Sequence, residues 1–307
     1  MSTLGVKASP YHRGRVMLVP DNQHESQNYP QQLFDQMTYI IAQAPDLVIF
    51  IGDDIETNTV LTEWVAFQTA VAMLTAAGIK WVIASGNHDY NETDPGARVT
   101  SMNTYLTAGP WITGLYQAGH VENSYTLVTL MNQPWGVLCL EYSPRDATLA
   151  WANTIVQSYP NTRWIVATHA YLYSDGIRYD WLVYGTAQDA NPNQDIYQQT
   201  PAEGINDGQQ IWLKLIQNNT NIRLVVCGHV IKPDSYNTQA RRTDTRAGGT
   251  ICHQVLQNYQ EIPPNGAGWL RNYYFDEANG IILVNTYSPF VGNYSCNARD
   301  QFTLPMP

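Results

Sequence analysis

Short apolar runs punctuated by turn-forming residues recur along the chain. Arg15–Val19, Leu47–Ile51, Trp81–Ala84, Trp164–Ala167 and Arg223–Cys227 each read as a buried strand. A sheet covered on both faces needs such runs, because no position in them can be left to water. Between them the period changes. In Gln31–Ala44 the apolar residues Leu33, Met37, Ile40 and Ile41 fall on one face at helical spacing, and Pro45-Asp46 closes the segment. Leu61–Ala77 is again helical in pattern and stops at Gly78. This β-α-β-α-β order predicts parallel neighbours joined by right-handed crossovers.

The middle and the tail differ. Tyr90–Gly119 is irregular, rich in Gly, Pro, Thr and Asn. Ser124–Leu130 and Trp135–Tyr142 predict a hairpin closed by Met131–Pro134. A helix over Arg145–Ser158 restores the β-α-β rhythm, Tyr171–Gly208 shows no strong period, and a helix follows over Asp207–Gln217. A long insert without regular pattern inside a compact domain is usually functional. Thr250–Gln257, Trp269–Phe275 and Ile281–Thr286 predict three further strands, an antiparallel continuation of a second sheet. No internal repeat or linker divides the chain. The expectation is one domain over residues 1–307, an α/β fold of two mixed sheets face to face with helices outside, carrying irregular inserts near 90–120 and 171–208.

Composition narrows the function classes. With 307 residues, 44% of them hydrophobic, the chain can build a large core. A net charge of −10 argues against bulk nucleic-acid binding, which relies on clustered Lys and Arg. Arg241-Arg242 with Arg246 is the strongest basic exception and reads as a solvated loop. Cys139, Cys227, Cys252 and Cys296 form no C-x-x-C pair, and no disulfide framework is implied. Met1–Tyr11 lacks the apolar region of a signal peptide, and no apolar stretch is long enough to span a bilayer. The expectation is a soluble protein with no membrane partner, cytoplasmic or particle-associated. Oligomeric state is not legible.

The chemistry sits just past the strands. Asp21-Asn22-Gln23, Gly52-Asp53-Asp54, Gly86-Asn87-His88-Asp89, Thr168-His169-Ala170 and Gly228-His229-Val230 place oxygen and imidazole donors at the ends of the five runs. Ligand sites in open α/β sheets form beyond the carboxyl ends of the strands, so these donors are expected to converge on one metal ion or two. Asp53, Asn87, His169 and His229 make a mixed O/N set suited to Mn, Fe, Zn or a similar divalent ion, and Asp53 can bridge a pair. His88 can face the substrate and donate a proton to a leaving oxygen. Asp89 can hold its ring in the right tautomer, or alternatively cap the next turn.

This series resembles the calcineurin-like metallophosphoesterase family, whose blocks are D-x-H, G-D, G-N-H-[DE], a lone H and G-H-x-H. The resemblance runs from about Arg15 to Val230. His253-Gln254-Val255-Leu256-Gln257-Asn258-Tyr259-Gln260, Gly268-Trp269-Leu270-Arg271 and Thr286-Tyr287-Ser288-Pro289 resemble a bacterial and phage branch that carries D-x-Q for D-x-H. The resemblance implies a four-layer α/β/β/α sandwich and hydrolysis of a small phosphomonoester or phosphodiester by metal-activated hydroxide, with manganese among the suitable metals. It assigns Asp53 as the bridge, Asn87, His169 and His229 to the second metal, Asp21 to the first, and His88 as acid or phosphate stabiliser.

Two imidazoles of the family pattern are replaced, one by Gln23 and the other by Ile231. Gln23 can still offer a carbonyl oxygen. Three expectations follow: a loosely held first metal, substitution by His24 or Glu56, or a one-metal enzyme. Magnesium joins the suitable ions for an oxygen-rich first site. In the insert, Arg178 is a candidate phosphate clamp, and its neighbouring tyrosines and Trp181 either stack on substrate or pack the insert down. The competing class is a binding or structural protein, such as a phage particle component, with a vestigial site.

Overall fold

The computed structural model describes residues 14–91, 98–193, 204–231, 238–263 and 266–307. The leader reading of Met1–Tyr11 and the parts of the two inserts at 92–97 and 194–203 lie outside the described residues.

The first half contains β1 (Gly14–Val19), α1 (Gln23–Asn28), α2 (Pro30–Gln43), β2 (Leu47–Phe50), α3 (Leu61–Ala76), β3 (Trp81–Ile83), α4 (Met102–Tyr105), β4 (Gly114–Leu115), β5 (Ser124–Leu130) and β6 (Gln133–Cys139). Then come α5 (Asp146–Ser158), β7 (Arg163–Ala167), α6 (Trp181–Tyr184), α7 (Gly208–Ile211) and β8 (Ile222–Cys227). The tail supplies β9 (Thr238–Thr245), β10 (Ile251–Asn258), β11 (Leu270–Asp276), β12 (Ile281–Ser288), β13 (Asn293–Tyr294) and β14 (Phe302–Pro305).

Two mixed sheets result. One runs β13-β12-β11-β1-β2-β3 with β14 added on β12, and the other runs β4-β5-β6-β7-β8-β10-β9. Strands β1, β2 and β3 are parallel, as are β6, β7, β8 and β10. Alternate side chains of each central strand face opposite layers. Leu47 and Ile49 meet Val137, Ile165 and Val226 between the sheets, whereas Val48 and Phe50 face Leu33, Met37 and Phe67 of α2 and α3. On the far side Leu138 and Val166 pack against Leu149 and Val156 of α5 and Ile211 of α7. This two-sided burial is why the strands read as continuous apolar runs. Each buried Leu, Ile or Phe contributes about 1.5–3 kcal/mol of favourable transfer energy. Helix α2 starts on Pro30, which lacks the N–H that the first turn leaves unpaired anyway. It stops where Ala44 turns left-handed at φ 45 ahead of Pro45.

Four expectations are corrected. The hairpin turn is only Met131-Asn132, both left-handed at φ 52 and 59, with Leu130 paired to Gln133. A two-residue turn of this hand matches the strand twist, so Pro134 lies on β6 instead of in the loop. The tail strands do not all extend one sheet: β10 lies parallel beside β8, while β11 returns antiparallel to β1 and β12 adds antiparallel to β11. The basic trio is not a solvated loop. Arg241 and Arg242 lie on edge strand β9, and buried Arg246 donates to the carbonyls of Ile216, Asn219, Thr220 and Ile251. The Asp207–Gln217 segment is one α turn with an Asp207/Gln210 capping box, followed by a wider π turn over Trp212–Ile216.

Among the described residues no helix is long and apolar enough to cross a membrane. Cys139, Cys227 and Cys252 are buried free thiols, and Cys296 is exposed.

Glu141, just past β6, anchors the loop that leads to α5. Its carboxylate accepts from Asn123, Thr148 and the Arg145 backbone and side chain, and it pairs with Arg98 at 3.2 Å. Burial alone would raise its pKa, but Arg98 and Arg145 overcome that and hold it below the ordinary 4.5. A depressed carboxylate stabilises the fold above pH 4.5 and loses that contribution as pH falls through its lower folded value. Glu141→Gln is therefore expected to cost about 3 kcal/mol in urea unfolding at pH 7. The deficit should shrink at pH 3.5; a pH-independent deficit would contradict the ion-pair account.

Candidate metal centre

The loops following β1, β2, β3, β7 and β8 meet at one end of the paired sheets. Asp53, His169 and His229 are buried there, each offering one ligand atom, and those atoms lie within 4.8 Å of one another. Asp21 is beside them, its Oδ1 3.9 Å from His169 Nε2. The His169 and His229 rings stand edge to face at 4.9 Å, and the Tyr142 and Tyr179 rings wall in His229 at 5.7 and 5.9 Å.

Backbone carbonyls set the imidazole tautomers. His169 Nδ1 is 2.8 Å from the Ile51 oxygen, and His229 Nε2 is 2.7 Å from the Ala190 oxygen. A carbonyl only accepts, so each of those nitrogens carries the hydrogen. The lone pairs of the neutral rings then lie on His169 Nε2 and His229 Nδ1. His169 Nε2 faces Asp53 Oδ2 at 3.0 Å. Two acceptors that close need a proton or a cation between them. Asp21 Oδ2, Gln23 Oε1 and Asn87 Oδ1 are buried with no hydrogen-bond partner. Unpartnered buried oxygens of this kind fit a divalent cation.

The electrostatics agree. Burial would depress the His169 imidazole, but the Asp53 and Asp21 carboxylates outweigh it and hold the ring up at about 9. Burial pushes Asp21 up to about 8, with Asp53 adding to the effect. Burial would also raise Asp53, yet His169 and His88 overcome that and bring it below the ordinary carboxylate range. Protons therefore stand in for positive charge that the site requires.

The backbone is strained where the donors sit. Asp21, Asp53 and His229 all take left-handed conformations, at φ 37, 53 and 77. Such conformations cost on the order of 1 kcal/mol or more each in non-glycine residues and cluster at functional sites. The glycines of the G-D, G-N-H-D and G-H blocks make room for them. A Cβ on Gly228 would lie 2.1 Å from Asp21 Oδ2, and one on Gly86 would lie 2.1 Å from Asp53 Oδ1.

The remaining sequence-named residues separate. Gln23 is buried at the start of α1. His88 is partly exposed; its N–H donates to Asp53 Oδ1 at 3.0 Å, and its Nδ1 is 2.7 Å from the Glu56 carbonyl. Asp89 is corrected as the orienting partner of that ring. Its carboxylate accepts the backbone N–H groups of Asp53, Asp54 and Gly86, joining the two ligand loops, so orientation of His88 passes to Glu56. His24 and Glu56 are not in the ligand cluster; they form a rim, with His24 Nε2 3.9 Å from Glu56 Oε2. Arg178 is corrected as a phosphate clamp. Its guanidinium pairs with Asp244, donates to Gln254 and Gln209, and stacks 3.8 Å from the Trp212 ring centre, holding the insert onto the domain. Asn258 and the Ala190 carbonyl were not foreseen. Asn258 sits in the His253–Gln260 run, and the burial of its polar side chains inside β10 was the missing signal.

Residues 14–233 match the calcineurin-like phosphoesterase family. The chain is 25% identical over 306 residues to the uncharacterized protein YvnB of Bacillus subtilis, covering 93% of this chain and 21% of that relative. It therefore spans about a fifth of the relative's length. A purple acid phosphatase from yellow lupin (Lupinus luteus) seeds superposes with a TM-score of 0.56 at 16% identity, over 96% of this chain and 54% of that one. A dimetal phosphatase from Danio rerio gives 0.54 at 12% identity, over 95% and 99%. These likenesses are of fold.

Two expectations follow from the geometry. Gly228→Ala should displace Asp21 and at least halve the rise in Tm produced by saturating Mn²⁺; an undiminished rise would contradict the packing argument. Because the cation must displace protons held at about 9 by His169 and about 8 by Asp21, metal affinity should climb with pH. The slope between pH 6 and 7 should be about tenfold per proton released, read by calorimetric titration. A flat profile would contradict proton displacement.

Proposed function

The chain belongs to the calcineurin-like phosphoesterase family, and from that premise we propose that it hydrolyses a small phosphomonoester or phosphodiester with one or two divalent ions. The observation that carries the proposal is the buried Asp53, His169 and His229 cluster, with Asn87, whose side-chain oxygen is buried and unpartnered, lying between two residues that contact Asp53. A divalent ion held there supplies Lewis acidity toward a phosphoryl oxygen and lowers the pKa of water.

Asp53, Asn87, His169 and His229 hold the tighter ion in this reading. Asp21 and Gln23 serve a looser one, because they bring oxygen donors only and Ile231 brings none. His88 lies at the rim with its Nδ1 fixed by the Glu56 carbonyl. A protonated His88 ring would supply a proton to the leaving alkoxide or a hydrogen bond to the phosphoryl group. Asp53 and Glu56 raise the His88 pKa against the lowering effect of burial, which favours the donor form. Asp89 supports the same step indirectly by tying the His88 loop to the Asp53 loop. The D-x-Q pattern and the Bacillus subtilis relative support placement in a bacterial and phage branch, and we read residues 1–307 as a single domain of it.

One observation favours a second reading. Gln23 and Ile231 stand where the family pattern has imidazoles, as a scaffold turned to binding would allow. GAP50, the anchor in the inner membrane complex of Plasmodium, shares this fold with a TM-score of 0.52 at 10% identity.

Aryl phosphate mono- and diester hydrolysis with added Mn²⁺ separates the two. Asn87→Ala and His229→Ala are each expected to lower turnover at least a hundredfold while far-UV circular dichroism is retained. Wild-type turnover in either variant would remove the catalytic assignment.

A further inference from the structure

The block His253–Gln260 puts polar side chains where the core is closed. Gln254, Gln257 and Asn258 on β10 are all buried, although β10 is an interior strand between β8 and β9. Buried amides persist only when their hydrogen bonds are made. Gln254 is occupied with Asp244, and Gln257 with Arg271 and Tyr273. Asn258, the last residue of β10, is different because it reaches the metal centre.

Its Nδ2 lies 3.0 Å from Asp21 Oδ1, 3.1 Å from the His229 backbone oxygen and 2.8 Å from Gln260 Oε1. Its own Oδ1 accepts the Gln260 N–H at 2.9 Å, which fixes the amide orientation. Asp21 Oδ1 accepts a second donor, the His229 N–H at 2.8 Å. Both lone pairs of that oxygen are then engaged by N–H groups. Asp21 Oδ2 stays buried without a partner. The carboxylate is thereby divided, with one oxygen held by the protein and one left for a cation. The same amide also joins the loops after β1, β8 and β10 at one atom.

We propose that Asn258 is a positioning residue that fixes Asp21 as a one-oxygen ligand and so makes the two metal positions unequal. The inference rests on the metal-dependent reading above and deepens it. Asp21 is the one charged donor that the looser position does not share with the tighter one. Its aim is set by a neutral amide at the end of β10. His229 keeps further supports, through the Ala190 carbonyl and its two tyrosine walls, so the tighter position depends less on Asn258.

The test is calorimetric titration of chelator-stripped wild type and Asn258→Ala with Mn²⁺ alone, with Tm measured in excess EDTA. Wild type should show a tight and a weak event. In Asn258→Ala the weak event should weaken at least tenfold and the tight event by less than threefold. A variant that only lowers Tm in EDTA and leaves the weak event in place overturns the proposal. So does a wild type with a single event, since Asp21 would then bind no metal. A wild type that binds no Mn²⁺ at all fails the metal-dependent reading itself and removes this inference with it. If Asn258→Ala does not fold, Asn258→Leu keeps the side-chain size and removes the amide donor to Asp21 Oδ1. It should weaken the weak event at least threefold, and an unchanged event again overturns the proposal.

Discussion

The structure depends on a contact that does not stand alone: Asp53 Oδ2 facing His169 Nε2 at 3.0 Å in a buried pocket. Both atoms are acceptors once the Ile51 carbonyl has taken the other ring hydrogen. Burying a carboxylate without a partner costs several kcal/mol, so the pair persists only with positive charge between or beside its members. A proton meets that need in the free protein, and a divalent ion meets it with more charge and more bonds. The strained backbone at Asp21, Asp53 and His229 and the glycines beneath them follow from packing such donors together. The fold carries this strain because its five buried strands are anchored in apolar layers on both faces.

Much of this was legible along the chain. The five strands and the clustered donors Asp53 and His229 could be placed because an apolar run followed by Gly-Asp or Gly-His has a distinct physical meaning. The run is a strand buried on both faces, and the glycine is the residue over which a neighbouring loop's carboxylate can lie. The helices were legible for a related reason: α2 and α5 each present a face at helical spacing. The end of α2 was off by a residue because Ala44, not a glycine, takes the left-handed terminal turn.

What was not legible depended on long-range partners. Arg178 has the right chemistry for phosphate, and nothing in its neighbourhood reveals that Asp244 and Trp212, far along the chain, engage its guanidinium. Asp89 lies one residue from His88, which suggested a local pairing, but backbone donors from the β2 loop capture it first. Arg246 resembled a solvated charge, yet it closes off the carbonyls at the end of the π turn. The tail misled because turn-rich spacing between strands suits either sheet. Only the register Val16 to Tyr273 and Val255 to Val226 shows β11 returning to one sheet and β10 to the other.

The central claim is that the ends of the two sheets hold a cation among Asp53, Asn87, His169 and His229. Anomalous diffraction at the manganese absorption edge, from crystals grown with Mn²⁺, tests it most directly. A strong anomalous peak enclosed by those four side chains is expected. The absence of a peak there, in crystals where the four side chains are well ordered, would contradict it.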